Sequence, residues 1–149
     1  MKYLPLLLSA LVACARHPVI VWGGASTGEN IEIVIDSGGH GSYKTSSAGV
    51  EDLDEALAFT KGQIRELEEE FRSHHVCELV HDPSYTPAEN EGQTTLELLF
   101  DDLTCTVTLY DLEWQRGNAR DIAQTMRSMR PLRTQKRRNR TLDPRGAAS

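Results

Sequence analysis

The 149 residues suit one domain, long enough to bury a core that needs no staple. Hydrophobic content of 39% is low for a globular protein, and charged content of 26% is ordinary. The formal net charge of −6 conceals a split, because residues 130–149 hold seven Arg and Lys against Asp143 alone, which is +6 and leaves −12 on the rest.

The chain opens on Lys2 and an apolar run over residues 4–12 that Pro5 interrupts. Nine residues rise only about 14 Å as a helix, half of a hydrocarbon core, so the run reads as an export signal rather than a membrane span. It leads into Leu11-Val12-Ala13-Cys14, which resembles the lipobox of bacterial lipoproteins. That resemblance covers residues 1–14. It implies cleavage before Cys14, a diacylglyceryl thioether on the Cys14 sulfur and a further acyl chain on the freed amine. Two or three acyl chains anchor stably where one is marginal. Ala15 is not the Asp that holds some lipoproteins at the inner membrane, so the expected address is the outer membrane or cell surface. Residues 1–13 are then a signal peptide, and residues 14–30, with their Gly, Ser and Thr, read as a flexible tether. Inside it residues 19–22 form an apolar patch that fits either a first strand or a segment packed on the domain.

Residues 31–36 alternate, with Ile31, Ile33 and Ile35 on one face, which predicts a strand. Ser37-Gly38-Gly39-His40-Gly41 is a turn of residues that tolerate positive φ, and residues 42–47 read as the return strand. Val50, Leu53, Leu57, Ile64, Leu67 and Phe71 then recur at spacings of three and four, with Thr60 filling a gap, which predicts one long amphipathic helix over residues 50–71. Asp52 and Glu55 fit a capping box at its start, and Gly62 falls in its middle. Glu66, Glu68, Glu69 and Glu70 crowd its C-terminal half, opposing the helix dipole.

Residues 74–80 suit a short edge strand, and residues 82–93, with Pro83, Pro87 and Gly92, a surface loop. Leu96, Leu98 and Phe100, the Asp101-Asp102 turn, and Leu103, Cys105, Val107 and Leu109 read as a hairpin, with Thr104, Thr106 and Thr108 facing outward. A second helix follows Gly117-Asn118, with Asn118 as its N-cap, the stripe Ile122, Met126 and Met129, and Pro131 as its stop. The expected domain, residues 31–131, is a two-layer α+β fold: an antiparallel sheet of about four strands with two helices on one face. Residues 132–149 lack apolar periodicity and read as a disordered basic tail.

With Cys14 assigned to the lipid, Cys77 and Cys105 form an even pair in an oxidising compartment, and a disulfide between them is expected. On the entropic account, closing that loop contributes about 3–4 kcal/mol. His74, His75, Cys77 and His81 are ligand types for zinc or copper, but their spacing fits no paired Cys/His template, and no metal or cofactor is assigned. The Gly-rich turn joins two strands without a following Lys-Ser/Thr, so it is not a phosphate loop. Strand, Gly38-Gly39 turn, strand and helix resemble emfourin-type inhibitors of thermolysin-like proteases, with His40 where that family has an aromatic residue. The resemblance covers residues 31–71 and implies an inhibitor.

No G-x-S-x-G elbow or metalloprotease helix is present, so no catalytic residue is named. The tail lacks the aromatics that stack on nucleic acid, and export argues further against a nucleic-acid partner. The expected role is a membrane-anchored, non-catalytic module that binds a protein, with a small-ligand or metal-binding lipoprotein as the alternative.

Overall fold

A computed structural model describes residues 16–25 and 30–129. The fold is α+β, as expected, but its antiparallel sheet has six strands rather than about four. The strands are β1 (Pro18–Ala25), β2 (Asn30–Asp36), β3 (His40–Ser47), β4 (Val50–Ala58), β5 (Gln93–Phe100) and β6 (Leu103–Tyr110). Their spatial order is β4-β3-β2-β1-β5-β6. The helices are α1 (Lys61–Ser73) and α2 (Gly117–Ser128), with 3₁₀ turns at Val76–Glu78 and Glu113–Gln115.

The strands expected over residues 31–36 and 42–47 and the β5–β6 hairpin are present, with Phe100 opposite Leu103 across Asp101-Asp102. Two strands extend the expected sheet, one over the apolar patch at residues 19–22, for which a first strand was one of two readings, and one where a helix was expected. β1 occupies part of the expected tether and runs through the middle of the sheet, with Trp22 between Ile33 of β2 and Leu96 of β5. Gly24 reads as linker, yet a Cβ there would stand 2.2 Å from the Gln93 carbonyl oxygen. The glycine is needed so that β1 and β5 can approach.

β4 takes the first half of the expected long helix. Ala48 and Gly49, at φ 51° and 79°, turn the chain between Ser47 and Val50, which face each other in the ladder. Two central residues at positive φ match a tight hairpin loop, and this turn ends β3 and starts β4. Leu53 and Leu57 are four apart, which suits one helix face, but they also share one strand face. The helix starts only at Lys61. Its capping box is Thr60 with Gln63, each side chain bonded to the other residue's backbone N–H, and not Asp52 with Glu55.

Two smaller readings also change. Residues 74–80 form no strand: His75 at φ 51° turns the chain into the 3₁₀ turn at Val76–Glu78. α2 begins at Gly117, so Asn118 lies inside it, and Arg116 in the cap position makes no side-chain cap bond.

One face of the sheet is dry. Ile20, Trp22, Ile33, Ile35, Tyr43, Leu96, Leu98 and Val107 pack under Phe71 of α1 and Ile122, Ala123 and Met126 of α2. Trp114 sits edge-on to Trp22 with ring centroids 4.9 Å apart, and its indole N–H donates to the Thr94 carbonyl oxygen at 2.9 Å. The other face carries Glu32, Lys44, Asp54 and the threonines of β6, so the alternation seen in the sequence divides wet from dry. Cys77 and Cys105 are joined in a disulfide with Cα atoms 5.7 Å apart, tying the 3₁₀ turn after α1 to β6.

Gly62 falls in the first turn of α1, where an added Cβ meets only the Thr60 hydroxyl, at 3.7 Å. Gly62→Ala should therefore raise stability by about 0.4–1 kcal/mol, because it restricts the unfolded chain without a clash. Urea unfolding monitored by far-UV circular dichroism checks this; a lower midpoint would contradict the assigned helix start.

Candidate functional site

The polar chemistry gathers where the loop over residues 79–92 meets the end of β6. Two glutamates hold that loop. Glu113 is buried, and its carboxylate accepts from the Asp82 amide at 2.8 Å, the Tyr110 amide at 3.0 Å and His81 Nδ1 at 2.9 Å. Burial by itself would raise its pKa, but these donors outweigh it and hold the carboxyl below its ordinary value. An ionised carboxylate only accepts, so His81 Nδ1–H is the donor of that bond.

Glu91 repeats the device. One of its oxygens accepts from the Tyr85 hydroxyl at 2.6 Å and the Ala88 amide at 2.9 Å, and the other from the Leu112 amide at 2.8 Å. Its carboxyl is likewise lowered, because these bonds outweigh its burial. Burial and the bond to Glu91 push the Tyr85 hydroxyl up to about 12.

An aromatic and cationic cluster stands on this frame. The His81 ring lies 5.4 Å from Tyr110 and 6.4 Å from Tyr85, the two tyrosines are 5.8 Å apart, and the Arg116 guanidinium lies 5.2 Å from the Tyr85 centroid. Tyr85 and Tyr110 are half-buried, while His81 and Arg116 are exposed. Beside the cluster is a cavity of about 560 Å³ whose lining includes Trp22, Glu91, Thr94, Leu112 and Arg127. What the cluster offers is a rigid, amphipathic surface.

The histidines singled out in the sequence do not converge. His74 lies 3.8 Å from Asp121 of α2, His75 3.5 Å from Glu78, and His81 is bound to Glu113, while Cys77 is committed to its disulfide. Among the described residues no group of three or more His, Cys, Asp and Glu could hold a metal ion. Cys14 lies outside the described residues, as do the signal and the basic tail.

The Gly-rich turn is braced. Asp36 accepts the Gly38 and His40 amides at 2.8 and 3.0 Å, and Gly39 at φ 83° passes its carbonyl to the Phe59 amide at 2.7 Å. The Ser37 amide donates to the His17 carbonyl at 3.1 Å, and Arg16 reaches His40 Nδ1 at 2.8 Å. A Cβ on Gly39 would stand 2.2 Å from the Phe59 carbonyl oxygen. This turn lies beside Pro18, at the opposite end of the sheet from Tyr110 and Glu113.

The frame of Glu91 and Glu113 was not readable in advance. Glu113 meets His81 and Asp82 across 32 and 31 residues, and no local pattern marks such a pairing. No protein-family model matches the chain, and no curated protein is significantly similar to it in sequence.

Glu113→Gln should cost about 1.5–3 kcal/mol at neutral pH, because it replaces a charged acceptor in a buried network. The folded pKa of Glu113 is lowered from 4.5, so its contribution is complete above that value and is lost as pH falls through the lower folded one. The difference in unfolding free energy between the two proteins should therefore shrink in acid. A difference that stays constant down to pH 2 would rule out the carboxylate as its source.

Proposed function

We propose that this chain is an exported module, lipid-anchored at Cys14, which acts by binding another protein in the manner of an inhibitor rather than by catalysis. The observation that carries the address is the Cys77–Cys105 disulfide. Such bonds persist outside the reducing cytoplasm, and this one leaves Cys14 as the remaining cysteine of three, at the end of the apolar run. Among the described residues no helix is long and apolar enough to cross a membrane.

The binding surface in this reading is the His81, Tyr85, Tyr110 and Arg116 cluster. Tyr and Arg are enriched among the residues that dominate protein interfaces. Glu91 and Glu113 hold the loop in place before any partner arrives, which lowers the ordering cost of association. The cluster also sits at the end of the sheet remote from Pro18. The likeness to emfourin-type inhibitors rested on the order strand, Gly38-Gly39 turn, strand and helix, and β4 stands between the return strand and α1, so the inhibitor form of the reading rests on the surface alone.

Cys14→Ser should move the protein from the membrane fraction to the soluble one, and mass spectrometry of the wild type should find residues 1–13 gone and an acylated Cys14. An intact N-terminus or unchanged partition would remove the anchor from this account.

Binding is tested separately, with a photoreactive phenylalanine analogue at position 85 in intact cells. One discrete heterologous adduct that Arg116→Ala weakens is expected. No adduct, or adducts indifferent to Arg116, would reject the surface.

A further inference from the structure

β4 closes one side of the sheet, paired with β3 alone among the described residues. At the other side β6 is tied through Cys105 to the turn after α1. The β4 side meets solvent: Val50 is 65% exposed, and Glu51, Asp52, Asp54, Ala56 and Ala58 are exposed as well. A strand in this position turns a row of backbone N–H and C=O groups outward, which is a template for one more strand.

The residues of β4 select which strand it accepts. Glu51, Asp52, Asp54 and Glu55 are four carboxylates in nine residues, and the strand has no Lys or Arg. Lys44, the one Lys or Arg of β3, lies 3.8 Å from Asp54 and balances a single charge. Sheet edges are commonly blunted by lysine or by a bulge. Here the irregularity is confined to the start of the strand, where Asp52 is the extra residue between Glu51, opposite Ser46, and Leu53, opposite Thr45. From Leu53 to Ala58 the pairing with β3 is regular, so the edge runs straight there. A second copy of β4 in the full-length antiparallel register would set Asp54 opposite itself, and like charges directly opposite are unfavourable. A basic strand meets no such penalty.

We propose that β4 is a docking edge for an extended, basic segment of a partner protein, which adds a strand antiparallel to it, as every pair in the sheet is. Asp54 and Glu55 point to opposite faces, so two successive basic residues of the partner meet one carboxylate on each face. Leu53 and Leu57 share the dry face and favour apolar residues opposite them, while Ala56 leaves room for a larger neighbour. The recognised pattern is therefore apolar, polar, basic, basic, apolar. Main-chain bonds supply the affinity, and the carboxylates choose the partner. This edge lies across the sheet from Tyr110 of β6, so the proposal stands apart from the cluster around Tyr85.

The test titrates the isotope-labelled full chain with the blocked peptide Thr-Val-Thr-Lys-Lys-Val-Thr at low ionic strength and follows the backbone amides by NMR. Shifts should concentrate on β4 and on β3 behind it. Replacing both peptide lysines by glutamate should weaken binding about tenfold. Asp54→Lys combined with Glu55→Lys should reverse that preference, and the reversal itself shows that the variant is folded. Salt at 1 M, where the Debye length is about 3 Å, should weaken the wild-type pairing. Peptides N-methylated on alternate residues, in either phase, separate strand addition from charge attraction alone: one phase should keep binding and the other lose it. Shifts scattered away from β4, equal binding of the two charge forms, or equal behaviour of the two methylated phases would overturn the proposal. So would β4 shifts that follow protein concentration without peptide, since a second copy would then hold the edge.

Discussion

α1 leaves the outer strand β4 at one side of the sheet, and its last turn delivers the Val76–Glu78 turn to the outer strand β6 at the other. Five interstrand spacings of about 4.8 Å come to roughly 24 Å, and thirteen helical residues rise about 20 Å. The helix is thus just long enough to cross the whole sheet, given the short links at either end. Much else follows from this fit. A longer helix that also consumed residues 50–58 would remove the outer strand and overshoot the opposite edge. The Thr60 capping box sets where the crossing begins, and the disulfide at Cys105 fixes where it lands.

The sheet itself is assembled from two pieces. β1 to β4 form a meander, and β5 and β6 form a hairpin, with β1 paired to β5 as the seam. The segment least like a domain in composition is therefore the one that unites it. Trp22 on β1 meets Trp114, and the Trp114 indole is bonded to Thr94 on β5, so the aromatic pair bridges the same seam on the dry face. The loop that covers the β6 side is then held by carboxylates rather than by apolar burial. That suits a surface segment with two prolines and little hydrophobic content.

What could be read from the sequence was what repeats locally. Ile31, Ile33 and Ile35 alternate on one strand, and Phe100 and Leu103 face each other across a two-residue turn, because period and turn length fix their register. The helix boundary failed for a definite reason. Leu53 and Leu57 fit both periods, and Glu55, which would have exposed the alternation, lies half-buried on the inward side of an outer strand where a carboxylate can still reach water. The deciding signals were Ala48-Gly49 and Thr60-x-x-Gln63, each present in the sequence but overridden by the longer apolar stripe. The disulfide was legible by counting. The cluster around Tyr85 was not, since the bonds that His81, Asp82 and Leu112 make to its two glutamates cross about twenty residues or more.

The brace on the Gly38-Gly39 turn has one more consequence. Arg16 and His17 already belong to the folded body through His40 and Ser37, so Ala15 alone separates it from Cys14. If Cys14 carries the lipid proposed above, the chain would have almost no standoff. Two residues extend about 7 Å, so the body would rest on the headgroups and diffuse with them instead of sweeping the space above on a leash. Its search for a partner would be two-dimensional, confined to a layer about one domain thick.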